Sequence, residues 1–395
     1  MGIKEEIADL KDELVALRRD FHMHPELCFR EVRTSKVVGD YLESLGLEVK
    51  RGIGKTGVVG LLKGDGKTVM LRADIDALPI QELNDVPYKS KNDNAMHACG
   101  HDGHTAMLLV AAKILAKHKD EIKGNIKFVF QPCEETMPSG AKAMLDDGVL
   151  EDPHVDSAFG IHLVSHVPTG MIGIREGAIM AAGDKFVIDI IGKGGHCASP
   201  NVSVDPVVAS SYVIQALQTI ASREIDPLDA IVLTIGSIEG GTTFNVIPQD
   251  VKITGTVRTL SECLHKEIPG KLERIVKGVC EAFRARYHID YQAGVPILVN
   301  DPGAVRLVRS IAEEVVGKDH VFDFQWMAYE DMSYFLREVP GAFYIIGSSN
   351  KDKGTDYPHH NPRFDIDEDS LSIGVEMHVR LAQAFLGAEE GEGRT

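Results

Sequence analysis

At 395 residues, 44% of them hydrophobic and 26% charged, the chain has the makeup of a soluble globular protein long enough for two cores. Lys and Arg number 42 against 59 Asp and Glu, a net charge of −17 that repels phosphate backbones and anionic lipid surfaces, and no basic run relieves it. Nucleic acid and membrane are therefore excluded as expected partners.

The chain begins with Ile3, Ile7, Leu10, Leu14 and Leu17 at helical spacing, broken throughout by charges. That pattern predicts an amphipathic helix rather than a signal-peptide core or a membrane span. Position 6 is Glu, where a myristoylation signal wants Ser or Thr, and the expected location is cytoplasmic.

Apolar β-type runs and helical patterns then alternate. GVVGLL (57–62) and TVMLRADI (68–75) read as strands, HTAMLLVAAKILAKHK (104–119) as a helix and NIKFVFQP (125–132) as a strand. GAKAMLDDGVL (140–150) follows as a helix and SAFGIHL (157–163) as a strand. This alternation predicts an α/β fold with a mostly parallel sheet covered by helices. From Asp184 the order changes to strand (185–194), helix (205–222), two strands (229–241 and 250–260), helix (268–287) and strand (290–295). A β-α-β-β-α-β series is what a small ferredoxin-like α+β unit requires. Helix and strand resume with AVRLVRSIAEEVVG and GAFYIIGS and end in a helix from Ser370. The expected organisation is a catalytic domain in two parts, 1–183 and 295–395, interrupted by an inserted dimerisation or lid domain at 184–294. The tail GAEEGEGRT reads as disordered by composition.

Six cysteines, at 28, 99, 133, 197, 263 and 280, form no C-x-x-C pair and no regular spacing. Neither a disulfide framework nor a zinc ribbon is expected, and all but Cys99 read as plain buried thiols. Cys99 lies in HACGHDGHT, before an apolar helix whose N-cap would be Asp102 or Thr105. In an extended approach to that helix, His97, Cys99 and His101 fall on one side, where thiolate and imidazole suit a zinc-like ion. The bland alternative is a His-rich helix cap.

In FVFQPCEET a strand ends at Pro132 and two carboxylates follow. Loops beyond the carboxyl ends of parallel strands converge on ligands. Glu134 and Glu135 would repel if both were buried without a cation; with one, the first carboxylate can bind it while its neighbour accepts a proton from water. A solvated acidic turn remains the alternative. His162 ends the strand SAFGIHL, and His359 and His360 stand in the Pro-bounded turn DYPHHNP. Each is unremarkable alone, but together at the loop ends of one sheet they point to a metal centre.

LRADIDALP, MHACGHDGHTAMLL, FVFQPCEET, FGIHL, GKGGHCASP, FNVIP, GTVRT and YEDMSYF occur in an order that resembles the M20 metallopeptidase superfamily over nearly the whole chain. The likeness is strongest to its amidohydrolase subgroup of hippurate hydrolases, N-acyl-amino-acid deacylases and auxin-conjugate hydrolases. The resemblance implies a dinuclear hydrolase, with Cys99, His101, Glu135, His162 and His360 as metal ligands and Glu134 as general base. His360 is preferred to His359 because it directly precedes Asn361-Pro362. Asp74 and Asp76 are implied to support the ligands. In the inserted domain, His196 is implied to help polarise the scissile carbonyl, in its own or a partner's site, while Asn245 and Arg258 hold a substrate carboxylate.

Departures from the family pattern fall at Cys133, at TMPSG, at Asn201 and at Ala328-Tyr329, around the expected pocket, and leave the substrate open. The implied reaction is hydrolysis of the amide bond of N-acyl amino acids or similar conjugates with two divalent ions, zinc foremost, or manganese, cobalt or nickel. The rivals are a carboxypeptidase or dipeptidase on the same centre, and a metal-dependent binding protein without turnover. A zinc deaminase is rejected because P-C-x-x-C is absent. A homodimer, or a tetramer, is expected by resemblance.

Overall fold

A computed structural model describes residues 2–387; the tail read above as disordered lies almost wholly outside them. Two compact units emerge, one formed by 1–179, 299–325 and 331–395, the other by 180–298 and 326–330. The second is wider than 184–294 and includes a short return segment that hydrophobic patterning does not reveal.

The first unit is built on an eight-stranded sheet in the order Glu48–Ile53, Gly57–Leu62, Asn125–Gln131, Thr68–Asp74, Ser157–Pro168, Gly341–Ser349, Ile172–Gly173, Val321–Phe322. Its central strands, from Asn125–Gln131 to Gly341–Ser349, run parallel, and antiparallel pairs occur toward both edges. The strands Thr68–Asp74 and Asn125–Gln131 are buried along their whole length, as continuous apolar runs in a sheet covered on both faces must be. Helices His101–Lys117, Asp369–Gly387 and Lys11–Met23 supply Met107, Leu108, Val375, Leu14 and Phe21 to the core. Arg72 pairs with Gly160, so two residues on Asp74 comes level with His162 at the carboxyl edge of the sheet. No described helix is long and apolar enough to cross a membrane.

The second unit has a four-stranded antiparallel sheet in the order Ile231–Gly240, Asp250–Thr259, Ala182–Ile191, Arg286–Val295. With the helices Pro206–Thr219 and Glu262–Phe283, this is the ferredoxin-like arrangement. Burial alternates along Ala182–Ile191, and Phe186, Ile188 and Ile190 meet Val213, Leu217, Ile268 and Leu272 on the covered face. The helix expected from Ile268 begins at Glu262 instead. Ser261 caps it by accepting the Leu264 N–H, and Pro269 is carried inside the helix.

The helix Lys11–Met23 buries more than its apolar stripe. Arg18 and His22 are wholly buried on it, and the Arg18 guanidinium meets Asp102 at 2.9 Å and Asp365 at 2.6 Å. His22 lies 2.7 Å from Asp102 through Nδ1 and 3.2 Å from Glu82 through Nε2. Burial and the Arg18 charge depress the imidazolium, but Asp102 and Glu82 outweigh them and lift its pKa from 6.5 to about 9. Because the folded value lies above the unfolded one, this contribution to stability is complete below pH 6.5 and is lost as pH rises through about 9. Urea midpoints of the wild-type protein should therefore fall between pH 6 and 9.5 more steeply than those of His22→Gln. Parallel declines would remove His22 as the titrating group.

Candidate metal centre

The helix His101–Lys117 starts at His101, one residue before the earlier of the two caps expected, because Gly100 takes φ 90° and turns the chain sharply. Only glycine adopts that conformation without strain. Ahead of Gly100 the Met96 carbonyl accepts the Ala98 N–H at 3.0 Å, a tight turn across His97 that breaks the extended alternation, and His97 does not join Cys99 and His101. It is buried elsewhere with neither ring nitrogen hydrogen-bonded among the described residues, and burial lowers its pKa to about 4. Gly103 lets the helix approach the sheet: a Cβ there would lie 2.7 Å from Leu163 Cδ1.

Cys99, His101 and His162 each offer a ligand atom within 4.8 Å of the others'. The same holds for Cys99, Glu135 and His360, and for His101, Glu134 and Glu135. The five residues implied as ligands, with Glu134, thus form one contiguous group in the first unit. Their orientations are set from behind. His101 Nδ1 donates to the Asp76 carbonyl at 2.9 Å, and its Nε2 is buried without a hydrogen-bond partner among the described residues. His162 Nδ1 donates to the Leu163 carbonyl at 2.7 Å, which turns Nε2 toward Cys99 Sγ at 3.5 Å. Asp76 also accepts the Glu135 N–H at 3.1 Å, so one side chain steadies two members of the group. Asp76→Ala should therefore weaken metal binding by about 10- to 100-fold in a chelator competition. Unchanged affinity would remove this role from Asp76.

The paired histidines of the late turn divide the space. His360, with φ 62°, places Nε2 3.3 Å from Glu135 Oε1. His359 reaches the thiol from another side, with Nδ1 3.5 Å from Cys99 Sγ and Nε2 accepting the Ser165 N–H at 3.2 Å. His104, the remaining histidine of HACGHDGHT beside His97 and His101, is spent on structure. Its Nδ1 donates to Asp74 at 2.6 Å, and its Nε2 accepts the Leu163 N–H at 2.8 Å.

The electrostatics fit a cation. Burial, then Glu135, Glu134 and Asp74, push the Cys99 thiol well above its usual range. Burial depresses His101, but Asp74, Asp76 and Glu135 outweigh it and lift the ring to about 10. Burial would raise Asp74, yet His101, His104 and Arg72 together hold it well below the ordinary carboxylate range. A divalent ion at this group would reverse the logic, standing in for the His101 Nε2 proton and favouring the Cys99 thiolate. Thiolate, imidazole and carboxylate donors together suit zinc and also admit manganese, cobalt or nickel.

His196, Asn245 and Arg258 belong to the second unit. His196 lies opposite Val246 in a short antiparallel pair, and the Asn245 carbonyl accepts the Cys197 N–H at 3.3 Å. The Arg258 guanidinium lies 4.7 Å over the Tyr329 ring and donates to Thr256 Oγ1 at 3.0 Å.

The cysteines differ from expectation. Cys28 and Cys133 are joined in a disulfide, and Cys197 and Cys263 are exposed; only Cys99 and Cys280 are buried free thiols. Spacing could not reveal a lone bridge between residues 105 apart in sequence.

Residues 70–384 match the family described as Peptidase family M20/M25/M40. Thermostable carboxypeptidase 2 of Saccharolobus solfataricus is 41% identical over 97% of this chain and 98% of its own length. N-acetyl-L-cysteine deacetylase of Bacillus subtilis is 38% identical over 99% and 93%. The crystal structure of the YxeP protein of Bacillus subtilis, described as a dinuclear metal binding peptidase, superposes with a TM-score of 0.82 at 33% identity, covering 96% of this chain and 99% of that one.

Proposed function

The chain belongs to peptidase family M20/M25/M40, and from that premise we propose that it hydrolyses the amide bond of N-acyl amino acids or similar small conjugates bearing a free carboxylate. The observation that carries this reading is the adjacent pair Glu134 and Glu135 beside His101, a proton acceptor next to a candidate ligand in a buried group. Cys99, His101, Glu135, His162 and His360 hold two divalent ions, zinc foremost. When bound, such ions acidify water and polarise the amide carbonyl. Glu134 accepts the proton of the attacking water and passes it to the leaving nitrogen. Asp76 keeps His101 and Glu135 in place. Arg258 and Asn245 hold the substrate carboxylate and His196 helps polarise the carbonyl, with residues 184–294 acting as a lid or dimerisation domain. The enzyme works in the cytoplasm as a homodimer or a tetramer.

The 41% identity to a carboxypeptidase favours one second reading, peptide hydrolysis by the same centre. Both substrate classes place the scissile amide next to a free carboxylate, so they differ on the acyl side. A metal-replete screen of acetyl- and benzoyl-amino acids, unblocked dipeptides and the carboxamide analogue of the best substrate separates them. Faster turnover of the acylated series and a loss of roughly tenfold or more in kcat/KM on removing the carboxylate are expected. Faster turnover of unblocked dipeptides would move the assignment to a dipeptidase. No turnover on any substrate with any metal would revive a binding protein.

A further inference from the structure

The disulfide stands where the catalytic carboxylates are positioned. Cys28 lies in the turn between the helices Lys11–Met23 and Val32–Ser44, and Cys133 immediately precedes Glu134 and Glu135. Around the bridge, Glu31 accepts the Cys133 N–H at 3.1 Å, the Phe29 N–H at 3.0 Å and the Thr56 hydroxyl at 2.6 Å. Thr136, just past the two carboxylates, donates to Cys28 Sγ at 3.0 Å. Cys133 and Thr136 thus fasten both sides of the Glu134-Glu135 step to the turn that carries Cys28.

A chain with a core of this extent needs no staple, and the other four cysteines are free. The two sulfurs also differ in access: Cys28 is half-buried while Cys133 is 0% exposed. An incoming thiolate therefore meets Cys28 first, with Cys133 as the leaving group.

We propose that Cys28 and Cys133 form a thiol–disulfide exchange site, through which a reductant of the glutathione class determines whether the Glu134-Glu135 turn is clamped and active or released and slow. The reductant thiolate attacks Cys28 Sγ, the S–S bond breaks, and Cys133 departs as a thiolate and takes up a proton. A second reductant thiol resolves the mixed disulfide and frees Cys28 as a thiol. Two reductant thiols become one disulfide while the protein gains two electrons and two protons. The effect on rate follows because a shift of about 1 Å in a catalytic group can cost on the order of 100-fold.

The activity arm rests on the hydrolase reading above; two further arms do not. Metal-loaded enzyme is equilibrated in glutathione buffers of graded redox ratio, and metal content is measured in each sample. Differential alkylation reads the thiols, hydrogen exchange reads the segment 131–136, and turnover of an N-acetyl amino acid reads kcat. Expected is a joint conversion of Cys28 and Cys133, with protection of 131–136 and kcat each falling about tenfold or more on reduction, metal retained, and both recovering on reoxidation. Cys28→Ser should sit at the reduced level in every buffer, whereas Cys263→Ser, exposed in the second unit, should respond like wild type. Free thiols at both positions in every buffer would overturn the proposal, as would a bridge that opens while exchange and kcat stay unmoved. If no substrate turns over in any buffer, the failure is that of the hydrolase reading, and the alkylation and exchange arms still decide the bridge.

Discussion

Glu134→Ala is expected to keep its metal and lose roughly two to four powers of ten in kcat. Glu134 is only 6% exposed and lies with His101 and Glu135 in one cluster, so its carboxylate is held among groups that a cation would neutralise. The proposed mechanism uses it as the proton acceptor rather than as a ligand, so the ions should stay when it is removed. Glu135→Ala should behave differently. Its carboxylate faces His360 at 3.3 Å and its N–H is tied to Asp76, so its removal should lower metal occupancy and activity together. The measurement is metal content by mass spectrometry beside kcat on the best substrate from the screen. Wild-type turnover by Glu134→Ala would remove it from the mechanism.

The largest stability effect is expected from Arg18→Met, at about 3–5 kcal/mol. Arg18 has no exposed surface and pairs with Asp102, also fully buried, and with Asp365. An apolar side chain of similar length fills the space but strands those carboxylates away from water. Among the described residues Asp102 then retains only His22 as a close cationic partner, at 2.7 Å. Since Asp102 directly follows His101, the disturbance should also weaken metal binding. Urea unfolding at pH 7 measures the first effect, and a loss under about 1 kcal/mol would mean that the buried charges find other partners.

What could be read from the sequence follows from how local its causes are. The fully apolar run of 69–71 and the long helix after HACGHDGH carry their own periodicity, so the parallel sheet and its covering helices were legible. So was the antiparallel unit, because an alternating strand such as Ala182–Ile191 shows which face is covered. The candidate ligands were legible through motif resemblance rather than spacing, since Cys99, Glu135, His162 and His360 meet only after the sheet aligns its strand ends. The His97 expectation failed at a tight turn across that residue, where the Ala98 N–H bonds back to the Met96 carbonyl. The Arg18–His22–Asp102 network was missed although a clue was present: the stripe that runs through Leu14 continues onto Arg18 and His22, charged residues at positions that should face the core. Asp331 carried no such clue. It is buried, accepting from Arg72 at 2.9 Å and from the Ser139 hydroxyl at 2.6 Å, partners that no pattern links to it.

The most direct test of the central claim is an anomalous difference map from a crystal loaded with manganese or zinc. The account predicts two peaks per chain enclosed by Cys99 Sγ, the imidazoles of His101, His162 and His360, and the Glu135 carboxylate, with Glu134 beside them but bound to neither. Peaks at other residues, or a loaded crystal with none among these five, would contradict it.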